Sequence, residues 1–189
     1  ISAIKGLVPS TNDIIADYIH KTFEVAKSKI GVIGGPCHAE EVAREKLSFL
    51  TIASGNAEIR DKVSELIDCR YLKTRVSTDV VGTEYASVIK NVYALATGVS
   101  NGLNYGDNLQ AVLVANAQQE MTRFINTVSK ESRDTQASHY LGDLLVTAYS
   151  QFSRNRTFGI MLGRGYSVES IQIEMDMVAE GYYATKSLY

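Results

Sequence analysis

The 189-residue chain is 45% hydrophobic and 21% charged, with a formal net charge of −2 at pH 7. Such proportions are ordinary for a globular protein of one large domain or two small ones, and the charge argues against a nucleic-acid or anionic-membrane partner. No apolar stretch approaches the roughly 20 residues that cross a bilayer.

Cys37 and Cys69 are too few for a disulfide framework and lack metal-site spacing, so a reducing cytoplasm is expected. Ile1 opens the chain without an initiator Met, inside a strand-like run, and Tyr189 falls in a helical pattern with no stop signal. Both ends predict part of a longer protein.

In chain order, residues 2–7 read as a strand. Residues 12–23 carry the helical apolar spacing Ile14, Ile15, Tyr18, Ile19, Phe23. Residues 29–34, an apolar run bounded by glycines, read as a buried parallel strand. A short helix over 38–46, a strand over 49–54, a helix over 57–67 and a strand over 71–76 follow. This rhythm predicts an open α/β sheet.

After Ser77 the strand patterns stop. Ser77 or Thr78 is placed to cap a long helix with Asp79 in its first turn, and residues 98–106, rich in Gly and Asn, read as a break. Asp107 then opens a helix whose core face reads Val112, Leu113, Ala117, Met121, Phe124, Ile125, Val128. The polar stretch 129–139 reads as a mobile loop. Helical patterns over 140–149, 156–164, 167–172 and 174–188 complete the chain. The fold class is α/β followed by all-α, with a domain boundary near 77 that separates 1–77 from 78–189.

Lys90 stands out against this background. Val81, Tyr85, Val88, Val92 and Leu95 recur at helical spacing, and Ala86, Ile89, Tyr93 and Ala96 fill the adjoining stripe. A helix apolar almost all round leaves little exposed face for a lysine. A lysine drawn inward loses hydration, which favours its neutral form and suits it to proton transfer. The competing reading is a lysine that snorkels its head to water.

Three further groups carry chemistry. Lys5 lies at the end of the first expected strand, where open α/β sheets meet ligands. Gly34-Gly35-Pro36-Cys37-His38-Ala39 joins a strand to a helix, and its glycines permit close backbone approach. His38 has no triad partner nearby in sequence and reads as structural. Asp143 and the run Ser153-Arg154-Asn155-Arg156 form the third group: an arginine fork matches phosphate oxygens, while helix capping competes for Ser153 and Asn155. The G-x-G-x-x-G nucleotide fingerprint is absent, since Gly163-Arg164-Gly165 is followed by Val168 at the third position.

The ordered motifs resemble the NAD(P)-dependent glycerol-3-phosphate dehydrogenases. They are Ile4-Lys5-Gly6, Gly35-Pro36 with Ala39 and Glu41-Val42, and Ile89-Lys90-Asn91-Val92. They continue with Gly98, Gly102-Leu103, Gly106-Asp107-Asn108, Glu120-Met121-Thr122-Arg123, Gly142 to Thr147, Ser153 to Arg156, and Val178 with Glu180-Gly181. The resemblance implies the C-terminal part of a Rossmann-like parallel sheet (1–77) and a helical substrate-binding domain (78–189). It implies interconversion of glycerol 3-phosphate and dihydroxyacetone phosphate with NAD or NADP, supplying glycerol 3-phosphate for phospholipid synthesis.

By resemblance Lys90 transfers the proton at the carbinol or carbonyl oxygen. Lys5, Gly35, Cys37, Asp143, Ser153, Arg154 and Asn155 line the substrate site with it, and Lys5, Ala39, Arg154, Val178 and Glu180 meet the cofactor. The sequence departs from the family pattern where Cys37 replaces the usual Ser, where 138–142 lead into Asp143 in place of a small, Gly-rich approach, and in lacking the glycine-rich turn. The chain by itself is therefore expected to be inactive. A related 2-hydroxy-acid or 6-phosphogluconate-type dehydrogenase and a non-catalytic helical interaction domain are the alternatives. A homodimer is an option the sequence leaves open.

Overall fold

The computed structural model describes residues 1–175 and 178–188. Three strands form one sheet in the order β1 (Gly31–Gly34), β2 (Ser48–Ser54), β3 (Leu72–Ser77). β2 and β3 run parallel, with Ser48 opposite Leu72 and Ala53 opposite Ser77. The crossover between them is α3 (Ala57–Ile67), whose N-cap Asn56 accepts from the Glu58 amide at 2.9 Å. The pair with its helix is the expected βαβ unit.

Two expectations about strands change. β1 is antiparallel to β2, with Gly31 opposite Ser54, so the run 29–34 does not join a parallel pair with its sheet neighbour. The strand expected over 2–7 shrinks to a single parallel bridge between Ser2 and Val32. The sheet is mixed, and a short apolar run cannot declare its own direction: direction depends on which neighbour the chain reaches. Helix α1 (Ile15–Phe23) packs Ala16 against Ile30, Val32 and Ala53 of this layer. Its N-terminal turn has no local side-chain cap; instead the Glu84 carboxylate accepts from the Ala16 amide at 3.1 Å.

The helical layer is built on α4 (Val80–Gly102), which runs through the start of the break expected at 98–106. Asp79 is its N-cap and accepts from the Gly82 amide at 2.9 Å, while Ser77 accepts from the Asp79 amide. Around α4 pack α5 (Gly106–Val128), α6 (Asp143–Tyr149), α7 (Arg154–Gly163) and α9 (Glu180–Leu188), with α8 (Val168–Glu174) beyond α7. Ala86 and Ile89 of α4 meet Val114, Ala117, Met121 and Ile125 of α5 and Leu144 and Ala148 of α6 in one core. Val112 and Val128, expected in that face, are instead 54% and 43% exposed.

α4 continues past Gly98 because its glycines are points of close approach. A Cβ on Gly98 would overlap the Arg156 carbonyl oxygen, and one on Gly159 would overlap that of Leu95. Gly102 and Gly163 repeat the arrangement one turn on. Paired G-x-x-x-G spacings on α4 and α7 thus let the two backbones touch, which propensity alone does not foresee. The helix expected over 174–188 is represented by α9; residues 176 and 177 within that range, and Tyr189, lie outside the described residues. Among the described residues no helix is long and apolar enough to cross a membrane.

Candidate active site

The α4–α7 packing brings the start of α7 beside the middle of α4, and a cleft opens there. Its volume is about 490 Å³, and Lys5, Cys37, His38, Ala39, Lys90 and Asn91 line one part of it. Asp143, Thr147, Ser153, Arg154, Asn155 and Glu180 line the rest. A volume of that size falls in the ordinary range for small-molecule sites, about 300–1,000 Å³.

Lys90 does not snorkel. Its residue is 6% exposed and its Nζ donates to Asp143 Oδ1 at 2.5 Å. Asp143, 1% exposed, also accepts from the Gly35 amide at 3.3 Å through Oδ2. Thr147 donates to the Asp143 carbonyl at 2.6 Å, one turn on. Gly35 must be glycine: its φ is +114°, and a Cβ would lie 3.1 Å from the Phe49 carbonyl oxygen.

Burial draws the Lys90 ammonium down to about 8; Asp143 pulls it back up, and Lys5 pushes it further down. Near neutral pH that places a proton donor and its conjugate base within easy exchange. Burial and the Lys90 charge lower His38, so its imidazole is neutral there. Burial raises the Cys37 thiol, with Lys5 opposing, which favours the protonated form, a weak hydrogen-bond donor.

The other expected residues are also placed. Lys5 reaches the cleft on the N-terminal segment, where its carbonyl accepts from Asn91 Nδ2 at 3.2 Å. Asn91 Nδ2 also donates to Glu180 Oε2 at 3.3 Å, which fixes the start of α9 to α4. Ser153 caps α7 through the Arg156 amide at 3.3 Å, and Asn155 Oδ1 accepts from the Gly181 amide at 2.8 Å. Capping and cleft lining are therefore both true of this segment. Arg154 is exposed on the cleft wall, while Arg156 is half-buried with its Nε unpartnered among the described residues. Val178 is 60% exposed and lines a different hollow with Phe158, Met175 and Tyr182.

The sequence does not single out Asn91, Thr147 or the helix-packing glycines as site residues. Asn91 and Thr147 lie inside motifs that carry the family resemblance, and the G-x-x-x-G spacings are legible in the chain. His38, read as structural, stands on the cleft wall with its ring 6.1 Å from that of Phe152.

The fold is a mixed α/β sheet followed by a helical layer, with a cleft built around a buried lysine–aspartate pair. The C-terminal model of the NAD-dependent glycerol-3-phosphate dehydrogenases matches residues 79–189, and the N-terminal model of the same family matches residues 1–60. The chain belongs to the NAD-dependent glycerol-3-phosphate dehydrogenase family.

It is 37% identical over its whole length to the glycerol-3-phosphate dehydrogenase (NAD(P)+) of Desulfotalea psychrophila, covering 57% of that protein. It is 38% identical to the enzyme of the same name from an Exiguobacterium species, covering 56% of it. Among solved structures, the glycerol-3-phosphate dehydrogenase of Coxiella burnetii superposes on 98% of the chain and 56% of its own, at 28% identity and a TM-score of 0.92. The chain thus spans a little over half the length of these relatives.

Proposed function

We propose that this chain carries the proton-transfer and substrate-holding half of an NAD- or NADP-dependent glycerol-3-phosphate dehydrogenase. On this reading residues 1–77 are the remainder of the dinucleotide-binding domain and 78–189 the substrate domain. The observation that carries it is the buried Lys90–Asp143 pair at 2.5 Å, facing a cleft into which Lys5 and Arg154 bring two further cations.

Lys90 gives a proton to the carbonyl oxygen of dihydroxyacetone phosphate, or takes one from the carbinol of glycerol 3-phosphate. Asp143 holds the ammonium in register. Lys5, Arg154 and Asn155 hold the phosphate, and Ser153 orders the turn that presents them. Holding the phosphate orients the carbon that reacts. Bound nicotinamide supplies the hydride acceptor or donor. Lys5, Ala39, Arg154 and Glu180 are the cleft residues that would hold its ring; small Ala39 at the start of α2 (Ala39–Val42) leaves it room. Val178, which the resemblance also gives to the cofactor, lines another hollow.

The 189 residues contain no G-x-G-x-x-G cradle, so by themselves they do not hold a dinucleotide for turnover. In a cytoplasmic setting, which the sparse cysteines favour, the product serves phospholipid synthesis.

The test is nicotinamide absorbance with dihydroxyacetone phosphate, on the product of the complete reading frame that encodes this chain. Oxidation of NADH or NADPH is expected, and Lys90→Ala should lower kcat by about 10²–10⁴. A folded product that turns over neither coenzyme overturns the proposal.

A further inference from the structure

Lys90 and Asp143 reach each other from separate elements, and the segment that delivers Asp143 is tied down elsewhere. Asp79 caps α4, about three turns before Lys90. Its carboxylate accepts from the Gly82 amide at 2.9 Å, from Arg133 Nε at 2.6 Å and from the Tyr140 hydroxyl. Arg133 and Tyr140 both belong to the connection between α5 and α6, most of which the sequence predicts to be a mobile loop.

The Arg133 guanidinium also donates to Asn126 Oδ1 and to Ser129 Oγ, each at 2.8 Å, so it joins the end of α5 to the start of α4. Tyr140 is 2% exposed, with its ring in the core beside Ala86, Ile89 and Leu144. It lies within a π-helical turn, Ser138–Gly142, and the next residue is Asp143. Single π turns are rare and recur at functional sites because they re-aim the residues that follow. Here the hydroxyl that anchors the turn is bound to the same carboxylate that caps the Lys90 helix.

We propose that Tyr140 and Asp79 are positioning residues: their hydrogen bond fixes the π-helical turn so that Asp143 stays against Lys90, and thereby governs the protonation of Lys90. Its bearing on turnover rests on the role given to Lys90 above; its bearing on the pair does not. The charged and titratable groups that share the cleft with Lys90 are Asp143 from α6, Lys5 from the N-terminal segment, Cys37 and His38 from the connection before α2, Glu40 from α2, Arg154 from α7 and Glu180 from α9. Tyr140→Phe removes none of these groups and alters no charge. A change in Lys90 titration in that variant therefore reports displacement of Asp143.

The experiment is an NMR titration of the protein labelled with ε-¹³C lysine, with the Lys90 signal assigned by its loss in Lys90→Arg. The native midpoint is expected near 8. In Tyr140→Phe it should fall by about one pH unit, because the pull of Asp143 weakens as the pair separates. Asp79→Asn, which keeps an acceptor for the helix cap, should move it the same way. Tyr149→Phe, 49% exposed at the end of α6, should leave it unchanged.

An unmoved midpoint in folded Tyr140→Phe and Asp79→Asn overturns the inference, whatever stability they have lost. Failure of the functional reading shows separately, as a reading-frame product that ignores dihydroxyacetone phosphate while the Lys90 titration still responds.

Discussion

Replacing Asp143 by Asn should destabilise the protein by an amount that depends on pH in a calculable way. Lys90 titrates near 10.5 in the unfolded chain and near 8 in the fold. Each pH unit between those two values corresponds to about 1.4 kcal/mol. Below pH 8 the folded protein therefore carries a penalty of about 3 kcal/mol for holding a buried ammonium. The neutral amide introduced by Asp143→Asn can still accept from that ammonium but no longer offsets its charge, and the folded-state value falls further. The penalty then becomes that of holding Lys90 neutral, which grows as the pH drops.

Relative to the native protein, the pH-dependent part of the added cost is near zero at pH 9, where Lys90 is mostly neutral in both. It is about 1.4 kcal/mol at pH 7 and twice that at pH 6, up to the variant's own titration point. Any change at the Gly35 amide or the Thr147 hydroxyl adds the same amount at every pH. The sign follows from proton counts: between the folded and unfolded titration points the unfolded chain binds more protons, so stability rises with pH. Urea unfolding followed by circular dichroism at pH 6, 7, 8 and 9 measures the difference. A destabilisation that is flat across that range would refute the reasoning.

Further outcomes test other parts of the structure. Glu84 is buried and raised to about 7 from 4.5, by desolvation above all, against the lowering effect of the Ala16 amide. Its contribution is full below the unfolded value and lost as pH rises through about 7, so native stability should decline by up to about 3 kcal/mol between pH 4.5 and 7. Glu84→Gln, which still accepts from Ala16, should flatten that decline in the same urea experiment. Gly159→Ala places a methyl on the Leu95 carbonyl and 2.9 Å from the Val99 amide nitrogen, so α4 and α7 must part. A loss of about 2 kcal/mol or more is expected, against a small gain for Ala in an unobstructed helix. Ser153→Ala removes the α7 cap at a cost of about 1 kcal/mol, read from the change in Tm.

Much of this protein can be read from local pattern. Helical spacing places α3 at its true bounds, and a helix apolar almost all round singles out Lys90, for which the sequence leaves burial and a snorkelled head as alternatives. The ordered motifs indicate the family without any geometry. These signals are local because periodicity, capping and composition act within a turn or two of the chain.

What the tertiary structure decided lies between elements. β1 runs antiparallel to β2, residues 2–7 contribute one bridge, and Gly98 lies inside α4 because α7 presses on it. Asp143 meets Lys90, and Asp79 meets Arg133 and Tyr140, across separations of more than fifty residues. A hydrogen bond between distant side chains leaves no periodic trace along the chain. The composition of the Lys90–Asp143 pair was thus written in the sequence, but its 2.5 Å separation and the anchoring of its π-helical turn arise only when the helices pack.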